Sequence, residues 1–166
     1  MKIYKNVLSP FLIYSCLAEL NSKIDETCWF SSLSRWPKTI LVNVQGTCLV
    51  SNCSPELSLK LQEELINVLP SADKISFGFY VWQKNSGISL HNDGGHKWGA
   101  TLYLNKVWHL DYGGIFLWID QQTQELKAQC PEFNQLIVNT DAEQHMVTPV
   151  GFDIPSDRYT IQIWGS

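Results

Sequence analysis

Length, composition and charge exclude several classes of protein. The 166 residues are 45% hydrophobic and 17% charged, which is typical of a globular chain and excludes a disordered one. The formal net charge is −4, and the absence of a basic run argues against a protein that binds nucleic acid through phosphates.

The N-terminal region predicts a helix. Ser9 suits an N-cap and Pro10 the first helical position, and apolar residues on one face extend the predicted helix over Pro10–Asn21. This pattern favours a helix over the signal peptide that an apolar run behind Lys2 and Lys5 would otherwise indicate. The five cysteines are an odd number without C-x-x-C spacing, so we expect reduced thiols and a cytoplasmic protein. No apolar run approaches the roughly 18 residues of a membrane span.

The middle of the chain mixes loop, strand and helix signals. The segment Trp29–Pro37 carries two Trp and is either a loop fixed to the core by these rings or a lid over a binding site. The β-rich segments Lys38–Val44 and Thr47–Ser51 predict a hairpin. A second helix is expected after Ser54, with a stripe of leucines, and Pro70 ends it.

Strand patterns dominate from Ile75 onward. The predicted strands are Ile75–Gln83, Ile88–Leu90, Trp98–Leu104, Ile115–Ile119, Leu126–Ala128, Phe133–Asn139, Gln144–Val150 and Arg158–Trp164. Short strands joined by Gly and Asn turns are typical of a sandwich or small barrel, and a jelly roll fits their number. We therefore expect a mainly β fold with flanking helices, in which a supporting region 1–72 and a jelly-roll core 73–166 form one domain.

Three residues form a candidate metal site. Residues i and i+2 of a strand share a face, so His91 and Asp93 can reach the same cation, with His145 as a third ligand. A His-x-Asp pair alone is weak support, because it arises by chance and also fits a capped turn. Two imidazoles and one carboxylate with open positions are the ligand set of non-haem Fe(II) oxygenases.

The last predicted strand carries an unusual arginine. Strand alternation puts Arg158, Thr160, Gln162 and Trp164 on one face. If this face is interior, the buried guanidinium requires an anion, because an unpaired buried charge is costly. The sequence thus predicts an acidic ligand near Arg158.

Several motifs together resemble the 2-oxoglutarate and Fe(II)-dependent oxygenases, within them the prolyl 4-hydroxylase-like group and most visibly the hypoxia-factor prolyl hydroxylases. The motifs are His91–Asp93, Tyr103–Lys106 with Trp108, Gly113–Ile115, Pro131–Asn134, His145–Val147 and Arg158–Trp164. The chain departs from its closest-looking relatives in a longer spacing between His145 and Arg158, where Gly151–Asp157 forms an extra loop.

The resemblance implies a double-stranded β-helix (a jelly roll of the cupin-like type) and roles for specific residues. His91, Asp93 and His145 would hold Fe(II), and Arg158 would bind the far carboxylate of 2-oxoglutarate with help from the Tyr103 hydroxyl. Further residues that the resemblance places at the cosubstrate pocket are Thr160, Phe116, Val147 and Trp164, with Trp82 or Tyr80 near the iron. O2 would be the second cosubstrate, and ascorbate a reductant.

The resemblance leaves the substrate open. A prolyl or other residue of a protein or peptide is favoured, whereas a free amino acid or small metabolite is the alternative within the same chemistry. A non-catalytic jelly-roll binding module is the alternative from another class. Nucleic-acid dealkylation is disfavoured by the absence of a basic face.

Overall fold

The computed structural model describes residues 1–24, 28–42 and 44–166. Its helices are α1 (Pro10–Lys23), α2 (Ser32–Arg35) and α3 (Pro55–Glu64), with short 3₁₀ turns at Lys38–Ile40 and Leu110–Tyr112. Its strands are β1 (Lys2–Lys5), β2 (Phe30–Ser31), β3 (Cys48–Asn52), β4 (Ile75–Trp82), β5 (Ile88–His91), β6 (Trp98–Tyr103), β7 (Phe116–Ile119), β8 (Leu126–Gln129), β9 (Gln135–Asn139), β10 (His145–Val147) and β11 (Arg158–Gly165).

Two antiparallel sheets form the body of the protein. Within the described ranges, the larger sheet has seven strands in the order β1-β9-β6-β11-β4-β3-β2, and the smaller has four in the order β5-β10-β7-β8. The central strand β11 pairs with β4 on one side and with β6 on the other. The prediction of a mainly β jelly roll with flanking helices is confirmed.

Two layers of buried side chains follow from strand alternation. The outer layer lies between the larger sheet and helices α1 and α3, and includes Leu12, Leu61 and Ile161. The inner layer lies between the two sheets and includes Trp82 and Tyr103 from the larger sheet and Phe116 from the smaller. Each strand of the larger sheet therefore has one face for the helices and one for the space between the sheets.

The two main helices begin where the sequence predicts. The hydroxyls of Ser9 and Ser54 accept hydrogen bonds from the backbone N–H groups of Leu12 and Leu57, and a proline occupies the first helical position in both. Helix α3 ends at Glu64, well before Pro70. No described helix could span a membrane, since even α1 has 14 residues against the roughly 20 required.

The predicted hairpin of Lys38–Val44 with Thr47–Ser51 is wrong. Lys38–Ile40 is a 3₁₀ turn, and β3 pairs with β2 and β4 instead. The pairing partner of a short β-rich segment depends on strands distant in the sequence, which local propensity does not report. Asn43, within the first predicted strand, lies outside the described residues.

Candidate active site

The smaller sheet brings the two histidines together. In the antiparallel pair of β5 and β10, His91 and His145 are direct register partners, and their ring centroids lie 4.4 Å apart. Asp93 follows β5 after one residue, in a turn where its carbonyl accepts a hydrogen bond from the His96 N–H at 2.9 Å. The ligand atoms of the three side chains all lie within 4.8 Å of one another.

Backbone carbonyls set the tautomer of both imidazoles. His91 Nδ1 lies 2.7 Å from the Ser89 carbonyl oxygen, and His145 Nδ1 lies 2.9 Å from that of Glu143. A carbonyl can only accept, so each Nδ1 donates and each Nε2 keeps its lone pair. The Nε2 atoms lie 3.5 Å and 3.4 Å from the two carboxylate oxygens of Asp93. Two lone pairs and a carboxylate thus converge on one point, as a divalent cation requires.

Burial favours the neutral form of His145. Desolvation lowers the pKa of its imidazole, while the negative charge of Asp93 opposes this effect. Phe116 stacks on the same ring at 5.2 Å. At neutral pH His145 is therefore in the form that binds metals.

Close packing against Gly99 fixes the position of Asp93. A Cβ atom at Gly99 would lie 3.0 Å from Asp93 Oδ2 and 2.7 Å from Trp164 Cζ3. Any side chain at this position would displace the carboxylate or the indole. The glycine is thus required by the close approach of two residues of the site.

A cavity of about 330 Å³ opens onto this cluster. The resemblance placed Phe116, Val147 and Trp164 at the pocket, and all three line the cavity together with Tyr80 and Trp82. Trp36 and Pro37, from the segment for which the sequence left a lid open, and Gln162, from the face of the last strand that carries Arg158, also line the cavity. Ile40, His96 and Asn139 are lining residues that the sequence did not indicate. His96 is exposed, and its ring stacks on Trp164 at 4.6 Å.

Part of the segment Trp29–Pro37 covers this cavity. Trp36 lies beside Tyr80 and Trp82, with centroid distances of 6.1 Å and 5.8 Å. The segment is tied to the larger sheet by Ser32, whose hydroxyl accepts a hydrogen bond from the Cys48 N–H at 2.9 Å. These contacts favour the lid hypothesis over a loop that is fixed to the core without contacting the site.

The predicted arginine lies deeper, between the sheets, and does not line the cavity. Arg158 is fully buried, and none of its three guanidinium nitrogens has a hydrogen-bond partner among the described residues. Its guanidinium carbon lies 5.1 Å from the ring centroids of both Trp82 and Tyr103. A Cβ atom at Gly114, which has φ +63°, would lie 2.7 Å from Arg158 Cδ, so the glycine leaves room for this side chain.

The surroundings of Arg158 suit a carboxylate. Burial lowers the pKa of the guanidinium and raises that of the Tyr103 hydroxyl, while the proximity of the two groups opposes both shifts. The two groups are near each other, but neither makes a hydrogen bond of full geometry among the described residues. The Thr160 hydroxyl accepts a hydrogen bond from Trp82 Nε1 at 3.1 Å, so its own proton is available. Arginine stays protonated in proteins, and five unpaired N–H groups beside two hydroxyls form a site for a carboxylate anion.

Comparisons with known proteins bear on the fold. No protein-family model and no curated protein matches the sequence. A prolyl-4-hydroxylase from Pseudomonas putida has a similar structure, with a TM-score of 0.74 and 17% identity over 99% of this chain and 91% of that one. A prolyl hydroxylase from Trichoplax adhaerens, in complex with a peptide fragment of the hypoxia inducible factor oxygen degradation domain, is also similar. Its TM-score is 0.78, and its sequence identity is 16% over 99% of this chain and 82% of that one.

A third similar structure contains a metal and a cosubstrate. HygX from Streptomyces hygroscopicus, with nickel and 2-oxoglutarate bound, gives a TM-score of 0.65 and 12% identity over 98% of this chain and 81% of that one. The resemblance inferred from the motifs is confirmed at the level of the fold, and the His–Asp–His cluster fits the expected Fe(II). The chain therefore has the jelly-roll fold of the 2-oxoglutarate and Fe(II)-dependent oxygenases.

Proposed function

We propose that this protein is an Fe(II)- and 2-oxoglutarate-dependent dioxygenase that hydroxylates a C–H bond in a prolyl or other residue of a protein or peptide. One molecule each of 2-oxoglutarate, O2 and substrate would give succinate, CO2 and the hydroxylated product. The observation that carries the proposal is the fully buried, unpartnered Arg158 in the same inter-sheet space as a His–Asp–His cluster.

The site has two ends, one for the metal and one for the far carboxylate of 2-oxoglutarate. His91, Asp93 and His145 would hold Fe(II) and leave positions open, and the iron would supply the oxidative chemistry. Arg158 would bind the far carboxylate of 2-oxoglutarate, with hydroxyl protons from Tyr103 and Thr160 as additional donors. Phe116, Val147 and Trp164 would exclude water between the two ends.

The lining of the cavity supports a peptide over a free amino acid. Among the residues that the structure describes, the lining includes no Lys, Arg or Glu, and its one acidic residue, Asp93, belongs to the proposed metal site. A free amino acid would bring an ammonium and a carboxylate that need charged partners when buried, whereas a residue within a peptide carries neither. A neighbour of the same fold contains a bound peptide.

The proposal also includes the domain organisation, the location and the partners expected from the sequence. We propose one domain over residues 1–166 in a cytoplasmic protein that binds neither nucleic acid nor membranes. The net charge of −4 supports the exclusion of nucleic acid.

Succinate formation tests the function. The purified protein would be incubated with Fe(II), ascorbate and 2-oxoglutarate, without and then with a pool of proline-containing peptides, beside the His91→Ala variant. We expect wild-type succinate to rise with peptide and the variant to form none. Succinate that only small metabolites stimulate would favour the alternative substrates. No succinate and no binding of 2-oxoglutarate would favour the binding module.

A further inference from the structure

We propose that two buried asparagines, Asn139 and Asn105, are positioning residues that hold the two ends of the site independently. Asn139 would fix His145 for the metal, and Asn105 would fix Arg158 for the carboxylate. This inference rests on the proposed function and adds to it two residues that are neither proposed metal ligands nor proposed partners of the cosubstrate carboxylate.

Asn139 controls the carbonyl that orients His145. It is the last residue of β9, and its carboxamide contacts the backbone of Glu143 twice. Its Oδ1 accepts from the Glu143 N–H at 3.1 Å, and its Nδ2 donates to the Glu143 carbonyl at 3.2 Å. That same carbonyl accepts the Nδ1 proton of His145. Because all three residues are buried, solvent is a poor substitute for these bonds.

The two histidines differ in this respect. The carbonyl that orients His91 belongs to Ser89, within β5, between Ile88 and His91, which are both register partners of β10. The carbonyl that orients His145 belongs to the turn between β9 and β10, and the Asn139 side chain bridges that turn. The Ile119 and Gln121 N–H groups also bond to this turn, at the Gln144 carbonyl and the Glu143 side chain. Asn139 adds the bonds to the Glu143 backbone itself, and its Nδ2 lies 3.4 Å from His145 Nδ1, so the orientation of His145 depends on this carboxamide more directly than that of His91 does.

Asn105 fixes the start of β11. The backbone pairing of β6 with β11 runs from Trp98 to Tyr103, and Asn105 lies just beyond it. The Asn105 Oδ1 accepts from the Tyr159 N–H at 2.7 Å, and its Nδ2 donates to the Asp157 carbonyl at 2.9 Å. These contacts lie on both sides of Arg158 in the sequence. The Asn105 side chain thus makes hydrogen bonds to β11 beyond the point where the backbone pairing of β6 ends. Arg158 has a register partner, Trp82, only on the β4 side, so the Asn105 contacts hold its backbone on the β6 side.

A third asparagine supplies a matched control. Asn134 contacts the backbone of Leu8 in the same way, accepting from its N–H at 3.0 Å and donating to its carbonyl at 2.7 Å. Asn134 and Asn105 are each 7% exposed, and Asn139 is 5% exposed. Leu8 packs in the layer under the helices and not between the sheets. Loss of the Asn134 carboxamide thus removes equivalent hydrogen bonds to Leu8, away from both ends of the site, and leaves the backbone N–H of residue 134 to donate to the Tyr103 carbonyl.

The first measurement concerns the metal alone. Co(II) would be titrated into metal-free wild type and the Asn139→Leu, Asn105→Leu and Asn134→Leu variants, with visible absorption as the readout. We expect Asn139→Leu to raise the Kd for Co(II) by about 10- to 100-fold and to change the spectrum, since loss of an outer partner of a ligand typically costs this much. The other two variants should bind Co(II) as wild type does.

The second measurement concerns the carboxylate. Calorimetry would follow 2-oxoglutarate binding to the Mn(II)-loaded proteins without oxygen, with Mn(II) in excess of each Kd. We expect Asn105→Leu to raise the Kd for 2-oxoglutarate about tenfold, because a displaced guanidinium loses part of a charge-assisted pair. Asn134→Leu should match wild type, although its positive φ of 57° makes it the more strained substitution.

Each outcome decides the inference. Wild-type affinities in folded Asn139→Leu and Asn105→Leu would overturn it, as would equal losses in Asn134→Leu, which would attribute the effect to stability. Should a leucine variant not fold by thermal melting, the serine variant replaces it, because a hydroxyl is too short to bridge both backbone groups. A wild type that binds neither Co(II) nor 2-oxoglutarate would instead refute the proposed function.

Discussion

The polar atoms of the metal end and those of the arginine end of this site are satisfied in opposite ways. At the metal end, each imidazole Nδ1 has a backbone carbonyl, and the ligand atoms face a cavity. At the arginine end, the guanidinium is enclosed by Trp82 and Tyr103 and has no partner within the described chain. The hydrogen bonds of the metal end are complete without a ligand. At the arginine end, the buried unpaired charge costs free energy until an anion binds. Removal of a residue should therefore have different consequences at each end.

The largest effect is expected at the metal end. Asp93→Ala removes the one carboxylate of the cluster, so turnover should fall by more than about 100-fold, beyond what loss of an outer partner costs. Co(II) titration and succinate formation would measure the loss. Asp73, an exposed surface carboxylate paired with Lys97, offers the control Asp73→Ala. Turnover of Asp93→Ala at the wild-type rate would exclude Asp93 as a ligand.

Replacement of the arginine should separate binding from stability. Arg158→Met should raise the Kd for 2-oxoglutarate about 100-fold, because a bidentate charge-assisted pair contributes roughly 3 kcal/mol. Without 2-oxoglutarate, the same variant should have a free energy of unfolding about 1 kcal/mol higher than wild type, since an unpaired buried charge is removed. Denaturant unfolding and calorimetry measure the two effects.

Arg35 is the natural control for this prediction. It is the only other arginine, it is exposed, and its guanidinium stacks on Phe30 at 4.7 Å. Arg35→Met should leave the 2-oxoglutarate affinity unchanged. An Arg158→Met protein that is both destabilised and unchanged in cosubstrate affinity would mean that the guanidinium has an internal structural role.

The smallest effect concerns pH. Burial lowers the pKa of His145 in the folded protein, so below the ordinary value of about 6.5 the unfolded chain binds a proton that the folded one does not. The metal-free protein should therefore lose stability as pH falls below 6.5, by at most about 1.4 kcal/mol per pH unit for this group. Denaturant melts of wild type and His145→Gln between pH 5 and 8 would compare the slopes. Equal slopes would exclude His145 as their source.

Much of the fold was predictable, and the exceptions have a common cause. From Ile75 onward, each predicted strand corresponds to an observed one, because alternation reports a sheet with two distinct faces. Strand β1 was missed: it is a short edge strand with two exposed lysines, and its partner among the described strands, β9, lies about 130 residues away in the sequence. The predicted hairpin was wrong for a related reason, since β3 pairs with β2 and β4 and not with the segment just before it, which contains a 3₁₀ turn.

Within the candidate site, the sequence indicated the residues whose own chemistry is distinctive. Spacing indicated His91 and Asp93, and strand parity put Arg158 on one face of the last strand with Thr160, Gln162 and Trp164. The full burial of Arg158 shows that this face is interior. Their role as ligands stays a prediction. Asn139 carried no such signal, and for Trp36 the sequence left a loop and a lid open, because their contribution depends on which backbone or ring they contact after folding.

The double pairing of β11 has a consequence for the recognition of related sequences. The β4 ladder fixes the register of its four inward side chains, and the β6 ladder fixes the last three of them again; these are Arg158, Thr160, Gln162 and Trp164. A slip of one residue would turn all four outward. The loop 151–157 precedes these ladders, so its length does not alter that register. A search for similar chains should therefore ask for an arginine that opens a final alternating strand, and not for a fixed count of residues after the second histidine.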